Sequence, residues 1–407
     1  MIFRLTKLAL GLCLGLLGSF QCFGGDGGGA STSTHGFALT GFGTVGLARS
    51  SSDTAEYVRD LSQPRGLTKN WSGKIDSVLG VQANLSLGKQ TEGVVQVLSR
   101  YRYDGSFGPE ISWAFLRHDF APELQVRAGR LGTEFYMLAD SRLVGYSNLT
   151  VRPPPDFFVP LIFTNFDGVD ATANAPLWGG LVRAKIFFGH SPEISAFSDP
   201  VTWNVKGSRL MGGHIDYFSG PWQFRVGRTN VRFSSAELPL NALIAPLPID
   251  ITTLVPELST IHKTAKFDSL GAVYDQGPAQ VQAMIGHIDH EAKSYESSWA
   301  AFILGAYRMG EWTPYIGYST VKSTPQTITT PIPAGLAPLV NNLLSVPHMD
   351  QHTVTVGTRW DFYRNLALKA QLDSIRGAPE SKFPYRGPAV QWNGRMQVLS
   401  VALDFAF

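Results

Sequence analysis

The chain is 407 residues long, 12% aromatic and 16% charged, with a formal net charge of +2 and a mean hydropathy near zero. That mixture is too apolar for a disordered chain and too polar for a bundle of membrane helices, and its glycine and aromatic content points to an all-β fold. A balanced charge without a run of Lys or Arg offers no footprint for nucleic acid.

At the start, Arg4 and Lys7 precede an apolar run from Leu8 to Phe20 and a Gly/Ser/Thr stretch from Gly24 to Thr34, the layout of a secretory signal peptide. Residues 1–30 are assigned to it, with cleavage between Phe23 and Ala30. The run is too short to cross a bilayer as a helix, and no later segment approaches the roughly 20 apolar residues that crossing needs. Cys13 and Cys22 both lie here, so neither a thiol nor a disulfide is expected in the exported part. Gln21 stands where lipoprotein processing needs a small residue, which argues against lipid attachment at Cys22.

Residues 36–407 form the expected single domain. From Gly36 onward apolar residues recur with period two, in short segments cut by Gly, Pro, Asn and Asp, as in half-buried strands. In chain order the segments are 37–48, 75–88, 93–103, 110–120, 123–130, 166–175, 180–189 and 208–218. They continue at 221–232, 265–275, 279–289, 298–308, 312–321, 351–362, 365–376 and 396–407. The pattern is cleanest near the end, where Val354, Val356, Trp360 and Phe362 alternate with Thr353, Thr355, Arg359 and Asp361. The last strand puts Leu399, Val401, Leu403, Phe405 and Phe407 on one side.

Short connections alternate with long ones. The short ones, such as Ser219-Gly220-Pro221, Gln276-Gly277-Pro278 and Tyr363-Arg364-Asn365, carry tight-turn residues. The long ones cover 49–74, 131–165, 190–207, 234–264, 323–350 and 377–394. DFAPELQVRAGR at 119–130 and YFSGPWQFRVGR at 217–228 form a weak hairpin repeat. Trp222, Tyr274, Tyr307, Trp312, Trp360 and Phe362 sit on the apolar faces beside short turns, where a membrane barrel has an aromatic girdle.

Alternation by itself also suits a soluble β-sandwich with a dry centre. The loop rhythm, the girdle and the terminal Phe407 favour a transmembrane antiparallel β-barrel of about sixteen strands, with short periplasmic turns and long extracellular loops. A barrel this wide is not filled by its own side chains, so small hydrophilic solutes or ions are expected to cross a wet lumen. Its expected lining is Arg100, Arg102, Arg127, Arg183, Lys185, Asp216, Arg225, Asp268, Arg359, Asp361, Lys369 and Asp373. Basic residues dominate that set and tilt the expectation toward anions. Residues 91–152 carry seven Arg and seven acidic residues, so no sign is readable there.

GFALTGFGTVGLA at 36–48 and VALDFAF at 401–407 make the chain resemble Gram-negative outer-membrane porins. WAFLRHDFAPELQVRAGRLGTEF at 113–135 is similar to phosphate-selective porins of the O and P type. The resemblance implies an outer-membrane homotrimer, a terminal assembly signal at Phe405 and Phe407, and a third loop folded into the lumen. That family's anion-binding lysines do not carry over, because no Lys occurs between Lys89 and Lys185.

The 131–165 segment, stiffened by Pro153-Pro154-Pro155, is the expected constriction, with Tyr136, Asp140, Arg142 and Arg152 as its site residues. The apolar loops at 234–264 and 323–350 are expected to pack over the barrel mouth or to meet a surface partner. No metal or cofactor is expected: His287 and His290, three apart on a strand, point to opposite faces, and His348 and His352 sit at a loop end. Hydrolase, nucleotide and zinc motifs are missing. The competing readings are a barrel-embedded lipid hydrolase and a secreted β-sandwich binding protein.

Overall fold

In the computed structural model, which describes residues 36–234, 237–244 and 247–407, sixteen antiparallel strands pair with their neighbours and close into a barrel. The expected signal peptide, with Cys13 and Cys22, lies outside the described residues. The wall begins with β1 (Phe37–Ser50), β2 (Val78–Ser86), β3 (Thr91–Arg100), β4 (Glu110–Ala121), β5 (Leu124–Gly132), β6 (Asn165–Leu177) and β7 (Gly180–His190). It continues with β10 (Arg209–Ser219), β11 (Trp222–Arg232), β12 (Thr264–Gln276), β13 (Ala279–His290) and β14 (Ser297–Tyr307). It ends with β15 (Trp312–Thr324), β16 (Asp350–Tyr363), β17 (Leu366–Gly377) and β18 (Arg395–Ala406). One hairpin, β8 (Ile194–Ser198) with β9 (Val201–Asn204), stands apart from the wall inside the 191–208 connection, where the sequence reading had a plain loop.

A single closed layer replaces the two layers of the sandwich alternative. Closure follows from the solvent, since hydrocarbon offers backbone N–H and C=O groups no partner and only a sheet without edges pairs them all. Val45, Ile186, Ile215, Val226, Leu270 and Ile316 stand exposed on the outer face. Near the short turns Trp222 meets Tyr274 at 4.9 Å and Trp312 stacks on Trp360 at 5.0 Å. The long-side connections vary more than expected, with short ones at 101–109 and 291–296.

The seam joins the chain ends. β1 pairs with β18 from Phe42↔Ala406 to Ser50↔Val398, and Gly41 and Phe407 exchange two backbone hydrogen bonds of 2.9 Å. The rings of Phe405 and Phe407 lie across Gly43 and Gly41, in the space that a Cβ at either glycine would need. Glycine weakens a strand, and a cross-strand aromatic ring restores the lost packing.

At the extracellular mouth the apolar loops turn inward. Leu238, Leu240, Ile251, Val255 and Leu258 join Val340 and Leu343 in one buried cluster that continues into the barrel. A cavity of about 410 Å³ remains among the loops, bordered by Leu61, Ile162, Trp203, Tyr295 and Phe383. Glu257 locks two loops together, its Oε1 accepting from the amides and hydroxyls of Thr329 and Thr330 at 2.6–2.9 Å.

Two outcomes are expected. Deleting Phe407, or replacing Gly43 with Val, should reduce the heat-modifiable folded barrel in the outer membrane; unchanged levels of both variants would refute this account of the seam. The hydrogen bonds from Thr330 and then Thr329 hold the Glu257 carboxyl down to about 2. A depressed carboxylate loses its contribution only as pH falls through that lowered value. The Thr329 and Thr330 amides should therefore stay protected in hydrogen exchange from neutral pH to about pH 3, and loss of protection near pH 4.5 would contradict the lock.

Candidate functional site in the barrel lumen

Residues 133–164 leave β5, cross the inside of the barrel and return to β6. The base is tied by Thr133, whose amide donates to the Thr164 carbonyl at 3.0 Å and whose hydroxyl donates to the Phe163 carbonyl at 2.9 Å. Aromatic residues then pack on the wall of β7, β12 and β14. Phe135 lies 5.0 Å from Phe267, Tyr136 lies 4.8 Å from Phe157, and Phe157 lies 5.2 Å from Phe302. Further on, Gly145 sits against Thr44 of β1 and Asp404 of β18, where a side chain would collide.

Buried cations hold the far stretch. Lys369 Nζ donates to the carbonyls of Gly145, Asn148 and Thr150 at 2.6–3.1 Å and is ion-paired to Asp404 at 2.8 Å. Arg359 donates to the carbonyls of Tyr146 and Asn148. Arg152 is fully buried between Asp76 at 2.7 Å and Asp373 at 2.9 Å, and it also donates to Ser400. Pro155 does not extend a proline rod but opens a short helix, Pro155–Phe158, from which Asp156 accepts bonds from Ser319 and Gln351.

These contacts correct three of the four site residues expected in this loop. Tyr136 lies within the aromatic cluster, Arg142 is buried and donates to the carbonyls of Leu161 and Phe163, and Arg152 is a staple. None of the three faces open lumen. Burial is the first cause that pushes the Arg142 guanidinium down to about 10. Asp140 is half-buried and belongs to a different neighbourhood.

That neighbourhood lies on the side of the loop facing β5, β7, β10 and β11. Glu134 contacts Lys185 directly, with Arg127 at 3.3 Å and Arg225 at 3.9 Å. The wall cations have carboxylates of their own, Asp170 for Arg127 at 2.5 Å and Asp216 for Arg225 at 2.7 Å. Nearer the short-turn end, Arg117 pairs with Asp119 at 2.8 Å and Glu92 at 3.3 Å, and Arg183 donates to Asn174 at 3.1 Å. Burial opposes ionisation of Glu134, but Lys185 and Arg127 outweigh it and hold the carboxyl well below its usual range. Asp140 is raised, by burial and then by the negative charge of Glu134.

Of the expected lining, Arg127, Arg183, Lys185, Asp216 and Arg225 surround Glu134 and Asp140, whereas Arg359, Asp361, Lys369 and Asp373 lie on the wall that anchors the loop. Arg100 faces inward but binds Asp60 and Glu110 at the mouth. Arg102 lies beyond the end of β3, paired with Asp104 and Glu110 at the rim. Asp268 is on the opposite face: it shares its side of β12 with exposed Leu270 and pairs outside the barrel with Arg228 at 2.6 Å. Phe267, its neighbour, points inward because Phe135 meets it there. Polarity therefore runs the other way at the long-loop end of this strand, while Leu270 keeps the apolar outer face further down.

Sequence reasoning missed Glu134, Asp170, Asp76 and Asp404. Asp404 did leave a signal, as the one charge within the apolar closing motif VALDFAF.

No protein-family model and no curated protein matches the sequence. Solved structures do match. The anion-selective porin from Comamonas acidovorans is 15% identical, with a TM-score of 0.55 over 92% of this chain and 100% of that one. The outer membrane channel DcaP of Acinetobacter baumannii is 12% identical, with a TM-score of 0.55 over 93% and 99%. The trimer form of OmpT of Vibrio cholerae is 11% identical, with a TM-score of 0.54 over 92% and 100%. The chain thus has the sixteen-stranded fold of Gram-negative outer-membrane porins. These matches support the porin class and do not single out the phosphate-selective O and P type.

Replacing Arg152 with Ala should leave Asp373 without a cation and Asp76 with Arg59 at 4.0 Å, and destabilise the barrel by about 3–5 kcal/mol, the usual cost of breaking a buried ion pair. Thermal unfolding in detergent, followed by gel mobility, measures it; an unchanged midpoint would show that the staple carries no load.

Proposed function

We propose that this protein is a passive diffusion channel for small hydrophilic solutes and ions, with loop 133–164 as its constriction. The observation that carries the reading is the sidedness of the loop: one side is sealed to the wall by Lys369, Arg359 and Arg152, while Glu134 and Asp140 face a cationic wall. Glu134 closes on Lys185, so the passage runs beside this contact, past the part-exposed Asp140, Arg117 and Arg183, with charges of both signs along it. Charges at about 4 Å interact several times more strongly at a narrow, low-dielectric passage than in open water, and those beyond about 8 Å are screened.

The anion preference expected from wall cations alone weakens once this set is complete. Arg117, Arg127, Arg183, Lys185 and Arg225 stand among Glu92, Asp119, Glu134, Asp140, Asp170 and Asp216. The wild-type channel should discriminate little, and neutralising the loop carboxylates should tip it toward anions. A homotrimer is proposed with it, supported by the trimer form of the Vibrio cholerae protein.

Among the described residues the hydrolase alternative finds one cluster to use, Ser323, His348 and Glu296 near the mouth. Both Glu296 at 2.8 Å and Ser323 at 3.4 Å approach the same ring nitrogen, Nδ1, whereas a catalytic triad orients one nitrogen with the acid and takes the proton with the other. The cluster therefore favours no acyl-transfer reading.

In planar bilayers the purified protein should give discrete conductance steps. In a salt gradient, Glu134→Gln with Asp140→Asn should shift the reversal potential toward the anion value. A barrel without conductance would defeat the proposal, and an unmoved reversal potential would defeat this placement of the constriction.

A further inference from the structure

On the outer wall most strand cations have a carboxylate beside them: Arg130 with Asp167 at 2.7 Å, Arg228 with Asp268 at 2.6 Å, Lys266 with Asp289 at 3.3 Å and Lys322 with Asp350 at 3.4 Å. Five arginines have none among the described residues: Arg49, which lies over Trp71 at 5.7 Å, and four that stand in opposed pairs. Arg209 and Arg232 stand directly opposite one another on β10 and β11, and Arg376 and Arg395 stand opposite one another on β17 and β18. All four are exposed, and none pairs with a carboxylate among the described residues.

Each pair is extended by a histidine in register on the next strand, His190 beside Arg209 and His352 beside Arg376. The same row of His, Arg and Arg thus occurs twice, at the long-loop ends of the strands. Side chains directly opposite in a sheet approach to about 5 Å, where like charges repel. Asp167, in register beyond His190 on β6, is taken by Arg130, so both arginine pairs still lack a counter-charge, which points to an anion supplied from outside the chain.

The surface below says what carries the anion. Two residues down from the first row lie Phe188 and Met211, and two further down lie Ile186 and Gly213, where the missing side chain opens a groove bordered by Ile215 and Val226. Below the second row, Val356, Leu372 and Leu399 form an exposed apolar strip in register. At about 3.3 Å per residue, the two rows sit two and four residues, or about 7 and 13 Å, above these apolar side chains. This is the spacing of a lipid phosphate above its acyl chains.

We propose that these rows are two binding sites for a phosphate-bearing lipid of the outer leaflet, the arginine forks gripping phosphate oxygens while acyl chains lie along the apolar strips. Planar guanidinium groups bind phosphate through paired hydrogen bonds, which suits two forks sharing one headgroup. A second copy of the chain fits less well, because both faces are cationic and would repel across a shared contact. The inference rests on the orientation of the barrel in the membrane and is independent of conduction through the lumen.

The test is native mass spectrometry of the detergent-solubilised protein with lipid A, with phosphate-free lipid A and with inorganic phosphate. Wild type should hold two lipid A molecules per barrel. Arg209→Gln with Arg232→Gln should weaken one site, and Arg376→Gln with Arg395→Gln the other, each on the order of tenfold. Heat-modifiable gel mobility confirms the barrel in each double variant, which leaves the other site as an internal control. Equal binding of phosphate-free lipid, equal binding of inorganic phosphate, or unweakened lipid A binding in both variants would overturn the proposal. So would a change of oligomeric state with lipid binding intact, which would assign the rows to a second copy.

Discussion

The structure depends on the absence of hydrogen-bonding partners in hydrocarbon. A buried, unpaired backbone group costs several kcal/mol there, so a spanning sheet has to close, and closing makes the two chain ends neighbours. Everything at the seam serves that join: the paired backbones of Gly41 and Phe407, and the rings of Phe405 and Phe407 lying over glycines of β1. With no sheet edge left, the outer face answers to lipid and the inner face to whatever occupies the lumen.

What occupies the lumen is partly the chain itself. A barrel of sixteen strands leaves more room than its own side chains fill, and loop 133–164 uses that room to build a second core of aromatic rings against β7, β12 and β14. On that side the interior is dry, so inward positions such as Phe267 and Met284 are apolar. Beside it, on β5, β10, β11 and the part of β7 nearer the short turns, the interior is charged, and Glu134 meets Arg127, Lys185 and Arg225. Two environments inside one wall are achieved by anchoring a single loop with buried ion pairs, which confer position rather than net stability.

The sixteen wall strands were legible because their period of two is enforced twice, by lipid outside and by the lumen inside. The hairpin β8–β9 was not: its strands are of five and four residues and lie outside the wall, where no face has to be apolar throughout. The candidate site was legible only in outline. That the loop matters could be argued from its length and prolines, yet Tyr136, Arg142 and Arg152 proved to be its packing, and Glu134 its charged face. Polar residue type does not distinguish a side chain exposed to water from one buried in an ion pair.

The amino-acid sequence determined the strand count, the side of the membrane that each connection takes and the greasy outer face, because each is a local pattern of a few residues. Tertiary structure decided which way Asp268 points, which carboxylate answers Arg152 and which arginines remain without one. Those outcomes depend on partners up to a few hundred positions away, brought together only when the barrel closes and the loop settles inside it.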